Sequence, residues 1–159
     1  MAEACLRRLH RIVFPLEGNL YGRSLSASAP AHRFLPGSKG GLYSWDRVRQ
    51  CPEVILVEGL FDYAALWQAG FHNVTCSMGT NLNARQLRQL SDGSRTIYLA
   101  LDADPTGSGQ KAAQSLPCRL TEHGVIARTV SLPEGHDPNR FFAQGGDAHQ
   151  FQSLLEKAR

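Results

Sequence analysis

The stretch that most constrains this chain is Val54–Asp62, VILVEGLFD, where four aliphatic residues run straight into Glu58 and Gly59. A continuous Val/Ile/Leu run this short is the pattern of a strand covered on both faces, and it is too brief for an amphipathic helix. Gly59 then predicts a tight turn, and FDYAALWQAG a helix that stops at Gly70. Ligands of open α/β sheets collect at the carboxyl ends of strands. Glu58 is therefore expected to point into a functional crevice.

A second apolar run, TIYLAL, ends in the same way, in Asp102-Ala103-Asp104. Residues two apart on a strand share a face, so both aspartates are expected near Glu58 if the strands are neighbours. Three carboxylates at one sheet edge repel one another, and at least one pKa rises unless a cation neutralises them. All-oxygen ligand sets of this kind favour Mg²⁺, with Mn²⁺ as a substitute, over zinc. Asp62 lies four residues beyond Glu58, so one helical turn brings it toward the same place; its alternative role is a cap or a first-turn acid favoured by the helix dipole. Asp137, followed by Pro138, is either a further metal ligand or an N-cap before an N1 proline. Lys111, near a helix start after the glycine-rich PTGSG, either meets a phosphate or is simply exposed.

The remaining pattern from Cys51 onward alternates strand and helix. HNVTC is a strand, Ala84–Leu90 a helix with Asn83 and Gln86 spaced as a capping box, and VIARTVSL a strand. Short helices are expected at NRFFAQ and from Asp147 to Ala158. Pro117 predicts a kink or restart in the helix that opens around Gln110. Such alternation implies α/β architecture with a mainly parallel sheet of about four strands flanked by helices and joined by right-handed crossovers.

Upstream, HRIVFPL, LYGRSL and HRFLPGSKGGLYSW read as short strands broken by turns. Two domains are expected: a small basic β-rich lobe over residues 1–50 and the α/β domain over 51–159. Residues 1–50 carry seven arginines and Lys39 against three acids, a formal +5, whereas residues 51–159 are a formal −2. Arg23, Arg33 and Lys39 alternate with Tyr21, Phe34, Tyr43 and Trp45. Cations that track phosphates, mixed with rings that stack on bases, suit single-stranded nucleic acid. A solvated basic surface over an aromatic core is the alternative.

Cys5, Cys51, Cys76 and Cys118 are widely separated and form no CxxC pair, so they are read as reduced cytosolic thiols rather than zinc ligands. No run of about 18 apolar residues suggests a membrane span, and the first residues lack the features of a secretory signal. A cytoplasmic protein is expected.

EGLFDYAALWQAG, SMGTNLNARQL, LALDAD and LPEGHDPNRFF together resemble the Toprim domain, in the form found in bacterial primases and primase-like proteins of phages and mobile elements. The resemblance covers residues 51 to about 145 and extends weakly to LYGRSL, HRFLPG and GGLYSW, which are similar to the end of the basic lobe that precedes Toprim in those primases. It implies a Rossmann-like Toprim fold with Glu58, Asp62, Asp102, Asp104 and Asp137 around Mg²⁺ or Mn²⁺, Glu58, Asp102 and Asp104 being catalytic. It places Arg23 against template or nucleotide phosphate, alongside the cationic candidates Arg33, Lys39 and Lys111.

The implied function is primase-like nucleotidyl transfer, making primers on a single-stranded DNA template from nucleotides, in company with other replication proteins. A Toprim nuclease and a non-catalytic nucleotide- or DNA-binding module of a larger assembly are the alternatives. Three departures stand out. Asn139 occupies a position where primase-like sequences commonly carry a second aspartate, and the loop from Asp104 to Lys111 is about two residues longer than usual. The zinc-binding domain, much of the basic lobe and the helicase-binding domain of those primases have no counterpart in these residues.

Overall fold

The computed structural model of the protein describes residues 10–26, 30–79, 81–102 and 110–159, with side chains throughout except at 110–114. Its contacts divide into two units, residues 1–41 and 42–159.

The first unit is an antiparallel meander of β1 (Arg11–Leu16), β2 (Asn19–Ser24) and β3 (His32–Phe34). Gly18, at φ 74°, supplies the left-handed residue of the β1–β2 turn. Phe14 pairs with Tyr21 and Tyr21 with Phe34, while Ile12 pairs with Arg23 and Arg23 with His32. Directly paired residues share a face. One face therefore combines an aromatic row with Arg23, and the Lys39 ammonium lies 5.5 Å from the Phe34 ring centre. Arg33 pairs with Gly22 and belongs to the opposite face by strand alternation.

The second unit is built on a four-stranded parallel sheet in the order β5-β4-β6-β7: β4 (Glu53–Val57), β5 (Val74–Cys76), β6 (Thr96–Ala100) and β7 (Ile126–Thr129). The helices are α1 (Trp45–Val48), α2 (Leu60–Gln68), α3 (Ala84–Ser91), α4 (Gln110–Glu122), α5 (Pro138–Ala143) and α6 (Ala148–Glu156). Val54, Leu56, Ile97 and Leu99 form a core on one face with Trp45, Val48, Leu90, Leu116, Leu120 and Val125. Ile55, Val57 and Ala100 alternate with them and are equally buried. Burial on both faces is why these strands are continuous apolar runs. Among the described residues, no helix is long and apolar enough to cross a membrane.

Three local expectations are corrected. Helix α4 runs through Pro117 without a restart. A proline inside a helix costs about 3 kcal/mol, but Leu116 and Leu120 lie on either side of it and are buried in the core, each contributing roughly 1.5–3 kcal/mol. The expected LYSW strand is reduced to a single bridge between Tyr43 and Cys76, followed by α1, because Trp45 turns into the core instead of along an edge. Tyr21 and Trp45, 7% and 8% exposed, are packing residues and not stacking platforms.

The Asn83 capping box forms as expected: Gln86 N donates to Asn83 Oδ1 at 2.9 Å, and Asn83 N to Gln86 Oε1 at 3.0 Å. Gln86 also donates through Nε2 to the Ser77 carbonyl at 2.8 Å, tying α3 to the loop after β5. Replacing it by leucine removes the reciprocal cap and strips a buried carbonyl of a donor, at about 1–3 kcal/mol. The expected outcome for Gln86→Leu is a lower urea midpoint with an unchanged m-value; an unchanged midpoint would refute the linkage.

Candidate functional site

The strand order fixes where chemistry can occur. From β4 the chain crosses through α2 to β5 on one side, whereas from β6 it crosses through α4 to β7 on the other. The crevice outside the carboxyl ends of β4 and β6 is thus the topological switch point of the sheet. Val57 pairs with Ala100 in parallel register. Glu58 is the next residue on one strand and Asp102 the second on its neighbour, so two acids distant in sequence emerge together.

Glu58 is half-buried and its backbone is pinned. Its carbonyl accepts from Gly79 N at 3.1 Å and from the Cys76 thiol at 3.2 Å. The preceding Val57 carbonyl accepts from Ser77 N and Ser77 Oγ. Met78 closes this loop at φ 56°, a region unfavourable for an unbranched side chain and sustained here by the surrounding bonds. Burial, and secondarily the Asp102 charge, push the Glu58 carboxyl up to about 7. Burial likewise pushes the Cys76 thiol upward, which keeps it a neutral donor.

Asp62, at the third helical position of α2, is 6% exposed. Its Oδ2 accepts from Gly59 N at 3.0 Å and its Oδ1 from Asn139 N at 3.0 Å. Burial raises its pKa to about 7 against the opposing Asn139 hydrogen bond; the charges of Asp137 and Asp102 add to the rise, and the Gly59 bond opposes it. Asp137 caps α5, accepting from Arg140 N through Oδ1 at 2.5 Å, with Pro138 at N1 as its sequence implies.

Gly59 has φ −105° and ψ 151°, a conformation open to any residue. Its lack of a side chain serves another purpose, since a Cβ there would lie 2.5 Å from Asp62 Oδ2. The expected tight turn is therefore a close approach. Sequence reasoning missed this contact, the Asn139 N–H and the Cys76 thiol; the backbone donors have no residue-type signature, and Cys76 had only its position at a strand end.

Asp104 lies outside the described residues, as does the Lys111 side chain, whose backbone is in the first turn of α4. Among the described residues alone, no three His, Cys, Asp or Glu are grouped to hold a metal ion. Arg23, Arg33 and Lys39 belong to the antiparallel unit. There Arg23 NH1 contacts His32 Nε2 and Tyr21 Oη lies 2.6 Å from His32 Nδ1. An arginine can only donate, so the His32 ring accepts from Arg23.

The raised carboxyls give the fold a definite pH dependence. Glu58 and Asp62 have ordinary values of 4.5 and 3.8 and reach about 7 when folded. Between those limits the folded chain binds more protons than the unfolded one, so stability is greatest below the ordinary values and is lost as pH rises through about 7. In chelator-treated buffer the thermal midpoint should fall from pH 4.5 to pH 8. Glu58→Gln should flatten that fall and raise the midpoint at pH 8; a slope identical to the parent's would contradict the assignment.

Residues 55–142 match the Toprim-like family. The chain is similar to the DNA primase of Aquifex aeolicus (strain VF5), with 31% identity over 95% of this chain and 35% of that protein. It is also similar to the DNA primase of Pasteurella multocida (strain Pm70), with 32% identity over 94% of this chain and 28% of that protein. The crystal structure of the zinc-binding and RNA polymerase domains of Aquifex aeolicus primase superposes with a TM-score of 0.79 at 28% identity, covering 94% of this chain and 40% of that one. The chain thus spans about a third of the length of these curated relatives. The matched residues run from β4 to α5 and take in Glu58, Asp62, Asp102, Asp104 and Asp137: the chain belongs to the Toprim-like family.

Proposed function

We propose that this chain carries the acidic centre of a primase-like nucleotidyltransferase, which makes primers on single-stranded DNA in the cytoplasm as part of a larger replication assembly. The observation that carries the reading is the emergence of Glu58 and Asp102 from adjacent parallel strands at the switch point, in a chain similar to DNA primases. A half-buried Glu58 carboxyl, raised by burial and by the neighbouring Asp102 charge, fits a hard divalent cation. Mg²⁺ or Mn²⁺ would be held by Glu58, Asp102, Asp104 and Asp137, while Asp62 accepts from the amides of Gly59 and Asn139. When bound, the ion supplies charge neutralisation at the transferring phosphate.

The chain's own residues have separable parts. Asp102 emerges beside β4 and, with Asp104, would supply further carboxylates to the ion. Glu58, with a carboxyl near 7, is suited to take a proton at neutral pH or to orient a ligand, according to its ionisation. Arg23 and Lys39, with Arg33 on the opposite face of the meander, would offer guanidinium and ammonium groups to DNA or nucleotide phosphate, and Lys111 is the remaining phosphate candidate.

Incubating the chain with single-stranded templates, nucleotides and Mg²⁺ or Mn²⁺ tests the reaction. Primer synthesis is expected, falling about 100-fold or more in Asp102→Asn, since one charge-stabilising group is worth about 10²–10³ in rate. Arg23→Gln should weaken binding to oligo-dT and lower the slope of log affinity against log salt by about 0.7, the loss of one phosphate contact. No incorporation on any template would overturn the reading, and metal-dependent cleavage of labelled DNA without nucleotides would replace it with nuclease chemistry.

A further inference from the structure

We propose that Asp62 is a positioning residue, a carboxylate clasp that holds the Glu58–Gly59 turn to the first turn of α5, and not a ligand of the metal ion. Its two oxygens are divided between two elements. Oδ2 accepts from Gly59 N, which opens α2, and Oδ1 from Asn139 N, 77 residues further along the chain. Both donors are at helix N-termini, where unpaired amides and the helix dipole stabilise a negative charge without any cation. The carboxylate is thereby satisfied where it sits, inside the protein.

The consequence concerns Asp137. Asn139 lies two residues beyond it, and the same helical turn is capped by Asp137 Oδ1 on Arg140 N. A tether on Asn139 therefore sets where the Asp137 carboxyl stands relative to Glu58. Behind the clasp lies an open groove of about 600 Å³ between Ala64, Ala65 and Gln68 of α2 and Asn139, Phe142 and Ala143 of α5. Gly59 completes the device, because a methyl group there would occupy the space of Asp62 Oδ2.

The consequence for catalysis rests on the metal-centre reading, whereas the clasp itself does not. Asp62→Asn replaces one acceptor by an NH₂ group that faces a backbone N–H. Gly59→Ala leaves the carboxylate chemically intact and displaces it. Both variants are expected to lower the thermal midpoint and to speed amide exchange across residues 139–143. Both should also weaken Mn²⁺ binding about tenfold, the scale seen when a partner that orients a ligand is lost. Asp137→Asn keeps a competent cap but removes the charge. If Asp62 acts through Asp137, Asp62→Asn should add little to the Mn²⁺ defect in the Asp137→Asn background.

A full additional loss in that background, with Gly59→Ala harmless, would make Asp62 a ligand and overturn the proposal. So would an unchanged midpoint and unchanged amide exchange in both variants. If Glu58→Gln and Asp102→Asn leave Mn²⁺ binding untouched, the metal-centre reading fails, and the midpoint and exchange measurements still decide whether the clasp exists.

Discussion

Parallel pairing of β4 with β6 is the interaction on which the rest of this molecule depends. It places Val57 beside Ala100 and so delivers Glu58 and Asp102 to one edge. A slip of one residue would send every side chain of the strand to the opposite face. Such a slip is costly because Val54 and Leu56 pack into one core while Ile55 and Val57 are buried on the other face. The apolar residues therefore set the register, and the register sets the acidic site. Stability and chemistry reside in different residues of the same strands.

Gathering acids opposes folding, and the surrounding bonds reflect it. Glu58 is half-buried beside Asp102, and both effects raise its carboxyl. What holds it there is backbone: the Ser77–Gly79 loop donates to the Val57 and Glu58 carbonyls, Met78 adopts φ 56°, and Gln86 reaches from the core to the Ser77 carbonyl. The loop is fixed by α3, and α3 by its capping box with Asn83. A chain of local bonds thus runs from a helix cap to the backbone at the base of Glu58.

Much of this was legible in the sequence where the signal was local. The apolar runs ending in Glu58 and Asp102, the Asn83/Gln86 spacing, and Asp137 before Pro138 each involve residues within one turn or one strand, and each forms as read. Features set by distant packing were not. Pro117 signals a break, yet Leu116 and Leu120 carry the helix across it. Trp45 looks like a partner for nucleic-acid bases but is drawn into the sheet core. For Asp62, spacing shows that it lies near Glu58 but not that its oxygens accept from Gly59 N and Asn139 N. Asn139 reads as the loss of an acid, whereas its contribution here is a main-chain N–H.

The placement of α5 makes the same point in steric terms. Two glycines flank it in space, and the lack of a side chain is what matters at each. Gly59 leaves room for the Asp62 carboxylate, and Gly146 leaves room for the Phe141 ring, whose Cε1 would lie 2.5 Å from a Cβ at that position. Phe141 in turn meets Phe142 and Phe151 edge-on, with ring centres 5.2 and 5.9 Å apart. A methyl group at Gly59 would disturb a charged anchor, and one at Gly146 an aromatic one. Because α5 is only six residues long, it has little propensity to form unaided and depends on these tertiary anchors. The position of Asp137, near enough for its charge to raise the Asp62 carboxyl, is accordingly a property of packing on both sides of its helix.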